Sequence, residues 1–268
     1  MSPLHAPRPT LLGMVHLLPL PGSPRSGAGT LESVIERARL DVDRLRRAGF
    51  DGVVIENFGD VPFHGSVAPP HTLTAMTRVA LALDTQGLLV GINVLRNDAA
   101  GALAVAMAVG ADLIRVNVHV GAAVTDQGVI EGRAAETVRL RQRLAPDVAI
   151  VADVDVKHAR PLGQRPDLGD VARETAYRGL ADALIVTGSG TGHQTSIADL
   201  QTVRAAVPDR PLFVGSGVDV DTVSEVLEMA DGVIVGTSIK EGRISDAPVD
   251  ESLARALAAR ARQGVASR

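Results

Sequence analysis

The feature that most constrains this chain is a regular alternation of apolar β-type runs with helical segments. Runs rich in Val, Ile and Leu and bounded by glycine are typical of parallel strands covered by helices on their faces. Eight such runs are predicted as strands: Thr10 to Leu17, Gly52 to Phe58, Leu88 to Leu95, Leu113 to His119, Ala149 to His158, Ala183 to Ser189, Pro211 to Val218 and Gly232 to Lys240. The helices predicted after them are Leu31 to Ala48, Leu73 to Thr85, Ala99 to Val109, Ala134 to Leu144, Asp170 to Tyr177, Ile197 to Ala206, Asp221 to Met229 and Asp250 to Arg262.

Two architectures explain this alternation, a closed (β/α)8 barrel and an open, doubly wound sheet. The length of 268 residues suits one barrel, and no polar linker divides the chain. No Gly-x-Gly-x-x-Gly sequence opens the first predicted helix, as a dinucleotide-binding open sheet would require. The sequence therefore predicts an α/β fold, a single (β/α)8 TIM barrel spanning residues 1–268.

Composition excludes several classes of function. The net charge of −4 comes without a basic stripe, so we expect no nucleic-acid partner. The absence of cysteine excludes disulfides, thiolate zinc sites and cysteine nucleophiles. The first 22 residues have no basic segment before an apolar stretch and are interrupted by proline, which predicts neither a signal peptide nor a transmembrane segment. We expect a cytoplasmic protein that forms a homo-oligomer.

Loop lengths indicate which face of the barrel carries function. The helix-to-strand connections are short, whereas four strand-to-helix connections are long: Leu18 to Thr30, Gly59 to Thr72, Val120 to Arg133 and Ala159 to Gly169. Long loops in compact domains are usually functional, and these gather where barrel enzymes bind their ligands. The alternative is that they are tolerated surface insertions.

Two glycine loops follow the last two predicted strands, Gly215-Ser216-Gly217 and Gly236-Thr237-Ser238. Glycine lets backbone N–H groups approach an anion, hydroxyls add donors, and barrels often bind phosphate at this position. The alternative is that small residues merely make tight turns. A third glycine-rich loop begins at Gly188 and Ser189, where we expect contacts to substrate.

Lysine is rare, since only Lys157 and Lys240 occur among 27 basic residues. Both lie near the carboxyl ends of predicted strands, the fifth and the eighth, and lysine can act as a base or form a Schiff base where arginine cannot. Lys157 shares a strand face with Asp153 and Asp155, so this group is a candidate catalytic set. For Asp153, a structural ion pair is an equal alternative.

Further polar residues interrupt the apolar strands. We expect Glu56 to act as a base or metal ligand and Arg115 to neutralise a carboxylate, while Asn93 and Asn117 orient substrate hydroxyls. Each could instead be a satisfied core polar group. A divalent cation bound by Glu56, Asp153 and Asp155 is a further possibility, although no ligand spacing fixes it. The residues expected to converge on one pocket are His16, Glu56, Asn57, Asn93, Arg115, Asn117 and His119.

The segment Gly13-Met-Val-His-Leu-Leu-Pro-Leu-Pro-Gly-Ser-Pro-Arg25 resembles the opening motif of the BtpA/SgcQ family. Blocks at 52–60, 91–98, 114–117, 152–157 and 188–192 are similar to that family as well. The resemblance implies a barrel of the ribulose-phosphate-binding kind. It also implies a link either to photosystem I biogenesis, where the family's namesake acts, or to sugar-utilisation gene clusters.

Two functions follow from these observations. The first is an enzyme acting on a phosphorylated sugar or nucleoside-like metabolite by lyase, isomerase or hydrolase chemistry, with Lys157 as base or electrophile. The second is a non-catalytic assembly or regulatory factor that binds a partner through the long loops.

Overall fold

The protein is described by a computed structural model for residues 4, 9–27, 29–155, 159–164, 166–188 and 195–263. Its strands are β1 (Thr10–His16), β2 (Gly52–Glu56), β3 (Leu89–Asn93), β4 (Leu113–Val116), β5 (Ala122–Thr125), β6 (Gly128–Glu131), β7 (Ala149–Asp153), β8 (Arg160–Pro161), β9 (Ala183–Val186), β10 (Leu212–Val214) and β11 (Gly232–Val235). Eight of them form a closed parallel barrel in the order β1-β11-β10-β9-β7-β4-β3-β2. Because β1 pairs with both β2 and β11, the predicted barrel is confirmed and the open sheet is excluded.

Helices cover the outside of the barrel. Capping by the Thr30 side chain and a left-handed Gly49 bound the first of them, which explains why its predicted ends agree with the structure. The second begins at Pro70, a residue suited to the first helical turn, and so starts earlier than predicted. The helices are α1 (Leu31–Ala48), α2 (Pro70–Leu81), α3 (Ala99–Val109), α4 (Ala134–Leu144), α5 (Leu168–Arg173), α6 (Ile197–Ala206), α7 (Val223–Val226) and α8 (Glu251–Gln263).

Three short helical segments complete the described elements. A π-helix, Glu174–Arg178, continues α5, and two 3-10 turns, Thr237–Ile239 and Glu241–Arg243, follow β11. The predicted eighth strand therefore ends at Val235 rather than at Lys240. The backbone leaves the sheet there because the turn bonds run from Ile239 to Gly236 and from Lys240 to Thr237.

The core has two layers. A large layer lies between the strands and the helices, and a smaller one fills the barrel. The inner layer is almost wholly aliphatic and contains Leu12, Met14, Val54, Leu113, Val151, Ile185, Phe213 and Ile234. Because side chains alternate along a strand, the next inward position towards each carboxyl end lies above this plug. Those upper positions hold the polar residues.

The connection from Val120 to Arg133 is not the irregular loop expected from the sequence. It folds into a hairpin of β5 and β6, and β8 pairs with β5 to make a three-stranded antiparallel sheet, here called the small sheet. Ile130 is fully buried beneath it against Val118. Within the described residues, no helix is long and apolar enough to cross a membrane.

Candidate functional site

A cavity of about 1000 Å³ opens at the carboxyl ends of the barrel strands. Register explains part of its lining, since His16 pairs with Glu56 and both side chains take inward positions. The predicted site residues that line it are His16, Glu56, Arg115, Asn117, Gly215, Ser216, Gly217, Gly236, Thr237 and Ser238. Parts of the chain separated by more than 200 residues thus meet in one concave space.

Asp153 and Asn93 do not line the cavity, but both contact Arg115 and Asn117, which do. Both oxygens of Asp153 accept from Arg115 Nη2, at 3.0 and 3.2 Å, and Oδ2 accepts from Asn117 Nδ2 at 2.7 Å. Asn93 donates to Asn117 Oδ1 and to the Arg115 carbonyl, both at 3.2 Å. All four side chains are buried. The Asp153 carboxylate is therefore an anchor for Arg115 in this geometry, which favours its structural reading over a catalytic one.

Arg115 is a buried cation held charged by carboxylates. Burial works to lower its pKa, but Asp153 and Glu56 outweigh that effect and the pKa is raised. Its Nη2 would lie 3.3 Å from a Cβ built on Gly215, so the guanidinium reaches across the barrel from β4 to the end of β10. Its buried Nε has no hydrogen-bond partner among the described residues.

Gly215 is better explained by space than by anion binding. Its N–H donates to the Val186 carbonyl at 2.9 Å as part of the sheet. A Cβ there would lie 2.5 Å from Ile185 Cγ2, so no larger residue fits. Gly215 therefore lines the cavity, but its amide is already used, contrary to the expectation that this N–H binds phosphate.

The other loop residues are placed differently from one another. Ser216 Oγ accepts from Gly188 N at 2.8 Å, and Ser238 Oγ donates to the Val218 carbonyl at 2.5 Å. The hydroxyl proton of Ser238 is thus committed to the protein, whereas that of Ser216 is not fixed by this bond. Gly217 has a positive φ of 71°, and Thr237 Oγ1 contacts Ser245 Oγ at 2.8 Å.

The ring of His16 is held from several sides. Nδ1 lies 2.7 Å from the Ser245 carbonyl oxygen, and Nε2 lies 3.6 Å from Glu56 Oε1. Phe58 stacks on the imidazole with ring centroids 4.3 Å apart and an interplanar angle of 15°. A Cβ on Gly236 would lie 3.3 Å from Cε1, so glycine at this position makes room for the ring.

Three arginines that line the cavity were not predicted from the sequence: Arg96, Arg160 and Arg243. Arg96 is buried, and burial lowers its pKa more than Asp153 and Glu56 raise it. Arg243 is exposed at the rim and has a φ of +56°. Each follows a strand of the barrel or lies in a long loop at this face, which is the signal that could have found them.

Several predicted residues lie elsewhere. Asp155 is half-buried outside the cavity lining, with its carbonyl accepting from Thr187 Oγ1. His119 does not join the pocket, since its Nε2 contacts the Gly179 carbonyl at 2.7 Å and burial lowers its pKa. Asn57 binds Asp60 and the Leu95 N–H. Lys157 and Ser189 lie outside the described residues.

Lys240 is not at the edge of a phosphate loop, contrary to the strand assignment that placed it there. It is fully buried, with Nζ 3.0 Å from Asp41 Oδ2 on α1. Its pKa is lowered by burial, against the opposing effect of Asp41. Lys240 is therefore a structural ion-pair partner.

Among the described residues, no group of three or more histidine and carboxylate side chains converges to hold a metal ion, so the suggested set of Glu56, Asp153 and Asp155 is not assembled.

Comparison with known proteins decides the family. The model of the BtpA family matches residues 8–263. The chain belongs to the BtpA family. It is 48% identical over 241 residues to the photosystem I biogenesis protein BtpA of Synechocystis, covering 88% of this chain and 83% of that protein. An uncharacterized protein of Pyrococcus furiosus is 44% identical over 258 residues, covering 96% of both chains.

Solved structures support the fold of this BtpA family member at low sequence identity. The 3-hexulose-6-phosphate synthase of Salmonella typhimurium matches with a TM-score of 0.57 at 19% identity, covering 95% of this chain and 99% of the other. Thiamine phosphate pyrophosphorylase of Pyrococcus furiosus gives 0.55 at 16% identity, covering 96% of both chains. These likenesses are of fold alone.

Proposed function

We propose that this protein is an enzyme that binds a phosphorylated sugar or nucleoside-like metabolite in the barrel cavity and transforms it by acid–base chemistry of the lyase, isomerase or hydrolase type. The observation that carries the proposal is one cavity lined by Arg96, Arg115 and Arg243 together with both glycine loops. Four arginines line this cavity against three carboxylates, Glu56, Asp126 and Asp219, so its lining keeps a small positive excess. A concave site with this excess suits a small anion placed beside the arginines.

The phosphate is assigned to the side of the cavity formed by Gly217, Gly236 and Thr237, with Arg243 at its rim. Arg243 is exposed and lines the cavity, and among the described residues no ion pair involves its side chain. Its guanidinium is therefore free to donate to an anionic ligand. Arg243 also holds a positive φ that costs free energy for a residue with a Cβ. Such strain is common where a side chain is held for binding.

Arg96 and Arg115 lie deeper, and they would meet the part of the ligand away from the phosphate. Burial lowers the pKa of Arg96, so a ligand with negative or strongly polar oxygen atoms would be stabilised beside it. Arg160, on β8 of the small sheet, lines the same cavity. The cavity would therefore bind a ligand that carries a phosphate at one end and polar oxygen atoms at the other.

The names of barrels that share this fold agree with the proposal, since they include a hexulose-phosphate synthase and a thiamine phosphate pyrophosphorylase. A different function is suggested by the relative named for photosystem I biogenesis. On that alternative the protein is a non-catalytic assembly factor and the cavity has no ligand of its own.

The test is thermal stability with inorganic phosphate, sugar phosphates and nucleotides. A ligand that binds only the native state raises stability by about 2.7 kcal/mol at about 100 times its Kd. We expect phosphate at millimolar concentration to raise the melting temperature of the wild type. Arg243→Gly should lose most of this response without loss of basal stability, because glycine relieves the positive φ. Gly236→Ala should weaken the response by narrowing the cavity beside His16.

The matched control is Arg139→Gln, which removes one exposed positive charge on α4 far from the cavity. It should respond to phosphate like the wild type. Gly217→Val is a poorer probe, because valine is strained at the φ of +71° and would itself destabilise the loop. If no phosphorylated compound shifts the melting temperature, the assembly-factor alternative gains and the proposal fails.

A further inference from the structure

The imidazole of His16 has a tautomer set by its surroundings. A carbonyl oxygen only accepts hydrogen bonds, so the 2.7 Å contact with Ser245 requires a proton on Nδ1. In the neutral ring, Nε2 then carries the lone pair. This nitrogen lies on the side of Glu56, at 3.6 Å from Oε1, which is longer than a direct hydrogen bond.

Glu56 is placed to stabilise a positive charge on that ring. Its carboxylate raises the pKa of both Arg96 and Arg115, and by the same interaction these arginines favour its ionised form. A carboxylate 3.6 Å away favours the imidazolium over the neutral ring. Phe58 and Gly236 also pack on the ring, and neither carries a charge.

We propose that His16 is the acid–base residue of the cavity, with Nε2 as the reacting nitrogen, the Ser245 carbonyl fixing the tautomer and Glu56 stabilising the protonated ring. This inference rests on the proposed function and names the group that moves the proton. It differs from the expectation, based on the sequence, that Lys157 is the base or electrophile with Asp153 and Glu56 as its acid–base partners and that His16 contacts substrate.

The proton transfer balances without a co-reactant. Nε2 takes a proton from a C–H or O–H group of the ligand, and the electron pair of that bond stays on the ligand. In the imidazolium, the Nδ1 proton stays on the ring and is donated to the Ser245 carbonyl oxygen, while the Glu56 carboxylate stabilises the positive charge. Return of the Nε2 proton to a different ligand atom completes an isomerisation and regenerates the neutral ring. The pairing of a base with an orienting acceptor on its other nitrogen follows the general logic of catalytic histidines.

Nuclear magnetic resonance of protein labelled with nitrogen-15 in its histidine rings tests the geometry. Loss of one signal set in His16→Gln assigns the resonance. We expect the Nδ1–H tautomer at high pH, and we expect Glu56→Gln to lower the pKa of His16 by about one unit or more, since an opposite charge is removed. Glu136→Gln, on the exposed face of α4, should leave that pKa unchanged. An Nε2–H tautomer, or an unchanged pKa in Glu56→Gln, overturns the proposal.

A phosphorylated bromoketone tests the reactivity of Nε2. The Nε2 lone pair would form a C–N bond as bromide leaves, and mass spectrometry would find the adduct on His16. His71→Gln, which alters an exposed histidine outside the cavity, should be labelled at His16 like the wild type. His16→Gln should lose this adduct. Absence of an adduct on His16 in the wild type overturns the assignment of Nε2.

Inorganic phosphate separates this proposal from the proposed function. If phosphate slows labelling of His16, the result supports both the proposed phosphate site and the acid–base role of His16. Labelling that phosphate does not slow keeps the role of His16 but contradicts the phosphate site. Stabilisation by phosphate without any adduct on His16 keeps the phosphate site and removes His16 as the base.

Discussion

At the scale of single residues, polar interruptions of the apolar strands identified several residues that line the cavity, among them His16, Glu56 and Arg115, whose roles stay predictions. Strand parity grouped Asp153 with Asp155 and Lys157 on one face. Neither aspartate lines the cavity, and Lys157 lies outside the described residues. The alternation of side chains along a strand does not predict which distant residue a given side chain contacts. The contact of His16 with Ser245 joins residues 229 apart, and the Arg115 guanidinium crosses the barrel to reach Gly215. Such contacts depend on the closed three-dimensional arrangement.

The buried ion pair between Arg115 and Asp153 gives a prediction at this scale. Asp153→Ala should destabilise the protein by about 3–5 kcal/mol, because it leaves the buried Arg115 cation without its principal carboxylate. Urea unfolding of purified variants measures the change. Asp43→Ala, an exposed carboxylate on α1, is the control and should stay within about 0.5 kcal/mol of the wild type. An equal loss of unfolding free energy in the two variants would show that the ion pair between Arg115 and Asp153 contributes little to stability.

At the scale of elements, the barrel repeat was predictable and the small sheet was not. The glycine-bounded apolar runs identified all eight barrel strands, but each was predicted too long at its carboxyl end, where polar residues begin the loops. The segment Ala122 to Glu131 does contain two short β-type runs around Asp126-Gln127-Gly128. These two strands were not predicted, because the strand–helix repeat of the barrel has one strand per unit and does not include an antiparallel hairpin.

The small sheet and the barrel should differ in local stability. Ile130 and Ile150 are both fully buried, but Ile130 packs in a small cluster under the hairpin and Ile150 packs in the large core. We expect Ile150→Ala to reduce the global free energy of unfolding by about 2–5 kcal/mol. Ile130→Ala should mainly speed hydrogen exchange of the β5 and β6 amides, because the hairpin can open without the barrel. Hydrogen-exchange mass spectrometry would contradict this if Ile130→Ala accelerated exchange throughout the barrel strands.

At the scale of the whole molecule, the ends of the chain close the fold. The first strand pairs with the last, α1 packs on α8, and the buried Lys240–Asp41 ion pair links the segment after β11 to the first helix. Asp41 also accepts from the Val249 N–H at 2.7 Å. Since these contacts join elements far apart in sequence, no half of the barrel can complete its sheet alone.

The closed sheet predicts that all 268 residues behave as one domain and unfold in one cooperative transition. Scanning calorimetry should give equal calorimetric and van't Hoff enthalpies of about 190 kcal/mol near 60 °C, from about 0.7 kcal/mol per residue. Lys240→Met should lower the transition temperature by several degrees and keep a single peak, because it leaves the buried Asp41 carboxylate with only its longer ion pair, 3.6 Å from Oδ1 to Arg37 Nε. Asp43→Ala again provides the exposed reference. A calorimetric enthalpy well above the van't Hoff value, or two resolved peaks, would mean that parts of the barrel unfold independently and that closure by β1 and β11 does not couple them.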